Sequence, residues 1–217
     1  MKNGTFGACA KMTNSPEIIP AILPKDSADL AEKLTVVTGF CEMVQIDFCD
    51  TLILPPAPWA TQFSLEAHLM MADPVIHIAT LVQSGFERVL IQVERVSSEA
   101  LAELIHEWRG SIEVATALEI ETPLEIISSF AHELQSVQLM GIAHIGRQGE
   151  PFDPRVIGRV SEIRKKYPHL TIAVDGGVSL TNAPTLISAG ASRLVVGSAI
   201  FGAEHPREAI EQFKQLG

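Results

Sequence analysis

Cysteine is scarce in this 217-residue chain: Cys9, Cys41 and Cys49 are all it has. An odd number without metal-type spacing offers no disulfide framework and suggests a reducing compartment. Basic residues are in deficit, with 16 Lys and Arg against 26 Asp and Glu and a formal net charge of −10. A nucleic-acid surface is therefore not expected. An acidic protein that binds an anion must do so with local backbone N–H groups, a few cations or a metal. No apolar run approaches the roughly 20 residues of a transmembrane helix, so no membrane partner is expected. Met1–Pro16 lacks the apolar core of a signal peptide and reads as a loose N-terminal extension. A cytoplasmic location follows as an expectation. There is no composition break, low-complexity stretch or linker, so residues 17–217 read as one domain, long enough to bury a core without disulfides.

What the chain does have is a repeated strand-to-glycine grammar. Thr171–Gly177, T-I-A-V-D-G-G, reads as a buried strand that ends in a carboxylate and two glycines. Arg193–Phe201, R-L-V-V-G-S-A-I-F, repeats it: an apolar strand, then Gly197-Ser198, then a helix start. Either turn alone also reads as a plain strand-to-helix connection. Two neighbouring ones are what a phosphate site at the end of a (β/α)8 barrel needs, with Gly176, Gly177, Gly197 and Ser198 supplying backbone N–H groups.

The rest of the chain follows the same alternation. Strands are predicted at Ile18–Leu23, Met43–Asp47, Ser64–Met70, Arg88–Val93, Ile112–Leu118 and Ser136–Met140, ahead of the two above. Asp26 or Ser27, Pro74, Ser97 or Ser98, Pro123 and Asp153 mark helix starts, and Glu204–Leu216 a closing helix. Phe48–Trp59, with Pro55, Pro56 and Pro58, cannot be a helix and reads as a functional loop. Gly141–Pro151 is a second long loop, with Gly146 and Gly149. Eight strand signals, with helix signals between most of them, in one domain of this size favour a single closed (β/α)8 TIM barrel over an open doubly wound sheet.

Asp47 ends the second strand, His68 lies in the third and Asp175 ends the seventh. Gln45 lies two residues before Asp47 and so shares its side of the strand. All four are placed to point into the mouth of one barrel. Two carboxylates and an imidazole suit a divalent metal such as Zn, Fe or Mn, and a carboxylate also serves as general acid or base. Taken singly, each has a plain alternative: a core histidine, or a helix-capping aspartate.

Five segments in this order and spacing resemble the ribulose-phosphate 3-epimerase family: I-P-A-I-L at Ile19–Leu23, Q-I-D-F-C-D at Gln45–Asp50, H-L-M-M at His68–Met71, V-D-G-G at Val174–Gly177 and G-S-A-I-F at Gly197–Phe201. The resemblance runs from Ile18 to the C-terminus, and its A-H-L-M segment is more specific than its glycine turns. It implies a ribulose-phosphate-binding TIM barrel that epimerises a ketose phosphate at C3. Asp47 and Asp175 would be the acid–base pair and metal ligands, His68 a further ligand, and a small phosphorylated sugar the partner. Methionines line the family's site; Met70 and Met140 match two of them and Cys49 replaces a third. A homo-oligomer is left open.

The chain also departs from the family. Gln45 stands where the family has a ligand His, and an amide oxygen is a poorer ligand than imidazole for a transition metal. Ala21 replaces a Ser near the substrate. Cys49-Asp50-Thr51 replaces M-D-G, and Ala143–Gly149, A-H-I-G-R-Q-G, replaces the loop N-P-G-F-G-G-Q that closes over the substrate. Gly146 and Arg147 in that loop are candidate phosphate contacts, Arg147 reading equally as a solvated cation. Two alternatives stand beside the epimerase: a non-catalytic paralogue that binds a phosphorylated metabolite, and a barrel lyase. The lyases use Asp-x-Lys-x-x-Asp on strand three, where this chain reads Glu66-Ala67-His68-Leu69-Met70-Met71 with no Lys.

Overall fold

Eight short strands pair in chain order and close on themselves in a computed structural model of the protein, which describes residues 15–56, 59, 62–147 and 149–216. They are β1 (Glu17–Ile22), β2 (Met43–Phe48), β3 (Ser64–Leu69), β4 (Phe86–Gln92), β5 (Glu113–Leu118), β6 (Ser136–Met140), β7 (Thr171–Asp175) and β8 (Arg193–Val196). Every pairing is parallel, and closure is made by β8 on β1, with Glu17 beside Arg193 and Pro20 beside Val196. The expected extension of residues 1–16 lies almost wholly outside the described residues, as do Cys9 and Pro58. Among the described residues no helix is long and apolar enough to cross a membrane.

The helices are α1 (Ser27–Val37), α2 (Ile78–Gln83), α3 (Ser98–Glu107), α4 (Arg155–Lys166), α5 (Ala183–Ala189), α6 (Ser198–Phe201) and α7 (Pro206–Lys214). Asp26 caps α1, its Oδ1 accepting from Ala28 N and Asp29 N at 2.9 Å each. Ser97 caps α3 by accepting from Ala100 N at 3.2 Å. Both satisfy N–H groups that have no partner within the helix.

The alternation is less regular than predicted. Between β2 and β3 no α-helix occurs among the described residues, in keeping with the prolines there. Pro74 opens a 3-10 turn, Val75–His77, that leads into α2. Pro123 is extended (ψ 134°), and Leu124–Ser129 after it is a 3-10 helix. A 3-10 turn eclipses i and i+3, so it buries Leu124 and Ile127 together, and the Ile-Ile-Ser-Ser that follows propagates an α-helix poorly. Asp153 acts one residue further out than a cap: α4 starts after Pro154, and Asp153 Oδ1 accepts from Arg155 N at 3.0 Å. The closing segment is two helices, α6 and α7, the latter begun by Pro206 at its first turn.

Successive strand residues face opposite ways. The outward faces pack the helices into one large core that includes Val44, Ile46, Leu65, Leu69, Val89, Ile91, Ile172, Val174, Leu194 and Val196. The inward faces carry two small apolar clusters and several polar residues. Ile19, Ala21, Ala173 and Val195 form one interior cluster, and Leu90, Ala115 and Ala117 another. Small residues leave room for long polar ones, and Glu66, His68, Arg88, Gln45, Gln92 and Gln138 are all buried.

Candidate functional site

The polar residues at the C-terminal ends of β2, β3 and β7 meet. Asp47 is in register with His68 across the β2–β3 pair, and Asp175 ends β7 opposite Met140 of β6. His68 Nδ1 lies 3.4 Å from Asp47 Oδ1 and 3.6 Å from Asp175 Oδ2. One ligand atom from each of the three residues lies within 4.8 Å of the others. Gln45, on the same side of β2 as Asp47, bridges the two acids: its Nε2 donates to Asp47 Oδ1 at 2.8 Å and to Asp175 Oδ2 at 2.9 Å.

Two further glutamines belong to this cluster. Gln138 of β6 donates from Nε2 to Asp175 Oδ2 at 2.9 Å. Gln92, at the end of β4, accepts at Oε1 from His68 Nε2 at 3.0 Å, while its own Nε2 donates to Ala117 O at 3.0 Å and Glu94 Oε2 at 2.9 Å. Glu94 is held in turn by Glu119 N at 2.9 Å and by the Thr122 hydroxyl. This chain pins the His68 ring with Nε2–H outward and Nδ1 toward the acids, the orientation a metal-ligating imidazole needs. Sequence reasoning missed both glutamines. The signal for Gln138 was its place two residues before Met140, the same offset that joins Gln45 to Asp47.

Burial alone would push the His68 pKa down, but hydrogen bonds and charge from Asp175 and Asp47 outweigh it and raise the value to about 9. Burial, and then the nearby Asp175 charge, hold Asp47 above the usual carboxylate range.

Above the cluster lies a cavity of about 50 Å3. Ala21, Asp47, His68, Met70, Met140 and Asp175 form its floor and walls, and Gly176, Gly177, Gly197, Ser198, Gly146 and Arg147 line it as well. Gly176 and Gly177 have φ of 98° and 67°, which L side chains rarely adopt. A Cβ on Gly177 would come 2.8 Å from Phe152 Cα. Arg147 is exposed, and the loop also brings in Glu150, paired with His144 Nδ1 at 3.1 Å. Cys49 does not line the cavity. The strand ends at Phe48, so Cys49 leaves the inward alternation, and its Sγ lies against Gly146 of the loop after β6.

The donor set suits a divalent cation. Two carboxylates and an imidazole nitrogen converge, and Gln45 Oε1 and Gln138 Oε1 are buried without a hydrogen-bond partner among the described residues.

A closed eight-stranded parallel barrel with interleaved helices, and with an acid–imidazole cluster and glycine turns at one mouth, defines a TIM-barrel protein. The solved 3-hexulose-6-phosphate synthase from Salmonella typhimurium superposes with a TM-score of 0.74 at 14% identity, over 92% of this chain and 97% of that one. The solved KGPDC from Streptococcus mutans gives 0.73 at 12%, over 93% and 96%. At such identities they speak for the fold alone. The model of the ribulose-phosphate 3 epimerase family matches residues 17–201, and the chain belongs to that family. It is 35% identical over 209 residues to the ribulose-phosphate 3-epimerase of Schizosaccharomyces pombe, covering 89% of this chain and 90% of that protein. It is 30% identical over 213 residues to the cytoplasmic isoform of Oryza sativa subsp. japonica, covering 92% and 93%.

Proposed function

We propose that the protein is a sugar-phosphate epimerase that inverts C3 of ribulose 5-phosphate or a closely related ketose phosphate. The observation that carries this reading is the acid pair: Asp47 on β2 and Asp175 on β7, joined by the Gln45 amide beneath one cavity. Inversion needs acid–base groups on both faces of the carbon. One carboxylate takes the C3 proton, the electron pair of the broken C–H bond forms the C2–C3 double bond, and the C2 carbonyl π pair moves onto its oxygen, giving an enediolate. The other carboxyl group then returns a proton to the opposite face, so no net proton is gained or lost. Asp47 and Asp175 exchange the roles of base and acid when the reaction runs in reverse. Asp47, His68 and Asp175, with Gln45 beside them, would hold a divalent cation, which would supply stabilisation of the negative charge that develops on the substrate oxygen. Zn, Fe and Mn all suit these donors.

Substrate is held at the other end by its phosphate. The backbone of Gly176, Gly177, Gly197 and Ser198 offers N–H groups, and Gly146 and Arg147 close the loop side. Met70 and Met140 shape an apolar wall against the sugar. Family membership favours this reading over a non-catalytic binder, and a cytoplasmic location is part of the same proposal. The test is proton–deuterium exchange at C3 of ribulose 5-phosphate in D2O. Exchange with epimerisation is expected; tight binding of the sugar phosphate without exchange would hand the reading to the non-catalytic alternative.

A further inference from the structure

Two amides converge on one carboxylate oxygen. Gln45 and Gln138, on opposite sides of Asp175, both donate from Nε2 to Asp175 Oδ2 at 2.9 Å, and Gln45 Nε2 also reaches Asp47 Oδ1. Gln138 Nε2 lies 3.5 Å from His68 Nδ1 and 3.9 Å from Met140 Sδ. Both side chains are fully buried, and each leaves its Oε1 without a partner among the described residues. A buried amide oxygen with no donor is destabilising, and two in one interior layer are a feature that a purely structural role does not account for.

A half-turn about the last side-chain torsion exchanges the oxygen and nitrogen of an amide, and that torsion is broad. With the NH2 groups inward, the two glutamines neutralise the acids by hydrogen bonding. With the oxygens inward, two carbonyls would crowd two carboxylates, an arrangement that is stable only around a cation. Each orphaned oxygen then has its partner.

We propose that Gln138 is a metal ligand alongside Gln45, and that a bound divalent cation turns both carbonyl oxygens inward. The donors would then be oxygens of Asp47, Asp175, Gln45 and Gln138 with one nitrogen, His68 Nδ1. Such an oxygen-dominated set shifts selectivity from Zn2+, which favours nitrogen and sulfur at four-coordinate sites, toward Mn2+. The inference rests on the epimerase reading only in taking the site to be a cation site.

The test is titration of the metal-free full chain with Mn2+ and, separately, Zn2+, followed by calorimetry and by the Mn2+ electron-resonance signal. Ratios between variants are compared, because Zn2+ binds most such sites more tightly than Mn2+. Gln138→Leu should weaken Mn2+ binding about 10–100-fold, the usual effect of losing a group that supports a metal. It should weaken Zn2+ binding clearly less, because a four-coordinate ion is already filled by Asp47, His68, Asp175 and one further donor. Gln138→Glu, which offers an inward oxygen in either orientation, should keep or tighten Mn2+ binding, and it decides the matter if the Leu variant does not fold. Unchanged Mn2+ affinity in Gln138→Leu, equal loss of both metals, weakened Mn2+ binding in Gln138→Glu, or no Mn2+ binding by the wild type would each overturn the proposal. The C3 exchange assay keeps the two readings apart. Exchange by a wild type whose metal affinity ignores Gln138 leaves the epimerase standing and removes the ligand; Gln138-dependent Mn2+ binding without exchange does the reverse.

Discussion

The two ends of the barrel interior both bury charge, and they do so in opposite ways. At the N-terminal end the charges are paired within the protein. Arg88 Nη1 donates to Glu66 Oε2 at 2.5 Å and Arg88 Nε to Glu113 Oε2 at 2.8 Å. Ser136 donates to the other oxygen of Glu113 at 2.5 Å, and outside this buried group the exposed Glu17 pairs with Arg193 at 2.7 Å. At the C-terminal end two acids face each other with an imidazole, three amides and no Lys or Arg in bonding contact with them among the described residues. Two amide oxygens there are left unpartnered. The first end is complete without help and closes the barrel. The second is a set of acceptors whose charge is not balanced by a Lys or Arg among the described residues, the arrangement that the cation proposed above would complete. The same strands carry both, because residues two apart on one strand share the interior: Glu66 and His68 on β3, Arg88 and, four residues on, Gln92 on β4.

Breaking the C-terminal end should abolish activity without unfolding the protein. Asp47→Asn or Asp175→Asn is expected to lower epimerisation by about 10²–10⁴-fold, the range for losing a general acid or base. The melting temperature of the metal-free variants should not fall, since one of two crowded acids is gone. A large drop in melting temperature would mean that this end, too, is structural.

Breaking the N-terminal end should do the converse. Arg88→Leu leaves Glu66 buried without its partner and should cost about 3–5 kcal/mol of stability. Burial already holds Glu66 above its ordinary 4.5 although Arg88 pulls it down, so without Arg88 burial acts unopposed. An acid whose folded pKa exceeds its unfolded value costs stability once it ionises, so the deficit is greatest above the folded pKa and shrinks as pH falls through it. Denaturant unfolding at pH 8 and pH 5 should therefore show a smaller difference from wild type at pH 5. A deficit that grows toward pH 5 would sink the argument.

Two smaller effects sharpen the contrast. Gln45→His puts an imidazole among Asp47, His68 and Asp175 and should tighten Zn2+ binding by about tenfold, read by metal titration. The gain in affinity is expected even without a gain in rate, because a new His lacks the support that Gln92 gives His68. Arg147→Ala should raise KM for the sugar phosphate only about two- to fivefold with kcat little changed, the scale of an exposed ion pair. A loss of a hundredfold or more would make Arg147 the main phosphate ligand in place of the glycine turns.

Much of this was legible in the chain before any coordinates. Thr171–Asp175 and Ser136–Met140 read as strands from their apolar runs, and Asp47, His68 and Asp175 as one cluster from their positions at strand ends. Local chemistry misled where context intervened. Pro123 marked a helix that the following Ile and Ser residues do not sustain in α form. Cys49 has the right offset for the pocket, but the chain turns away after Phe48. Gln138 and Gln92 were hidden because a polar residue in an apolar strand has no meaning until its neighbours are known.

By itself the sequence determined which residues make strands, where helices are capped, and that carboxylates, an imidazole and glycine turns recur at strand ends. These depend on periodicities of two and 3.6 residues and on side chains acting on their own backbone, all short in range. Only the tertiary structure decided that the sheet closes, β8 on β1, and so which inward side chains meet. Gln45 and Asp175 are 130 residues apart in the chain and 2.9 Å apart in space. Barrel closure sets that distance, and with it which amide oxygens are left facing no donor, since pairing across the interior depends on register around all eight strands.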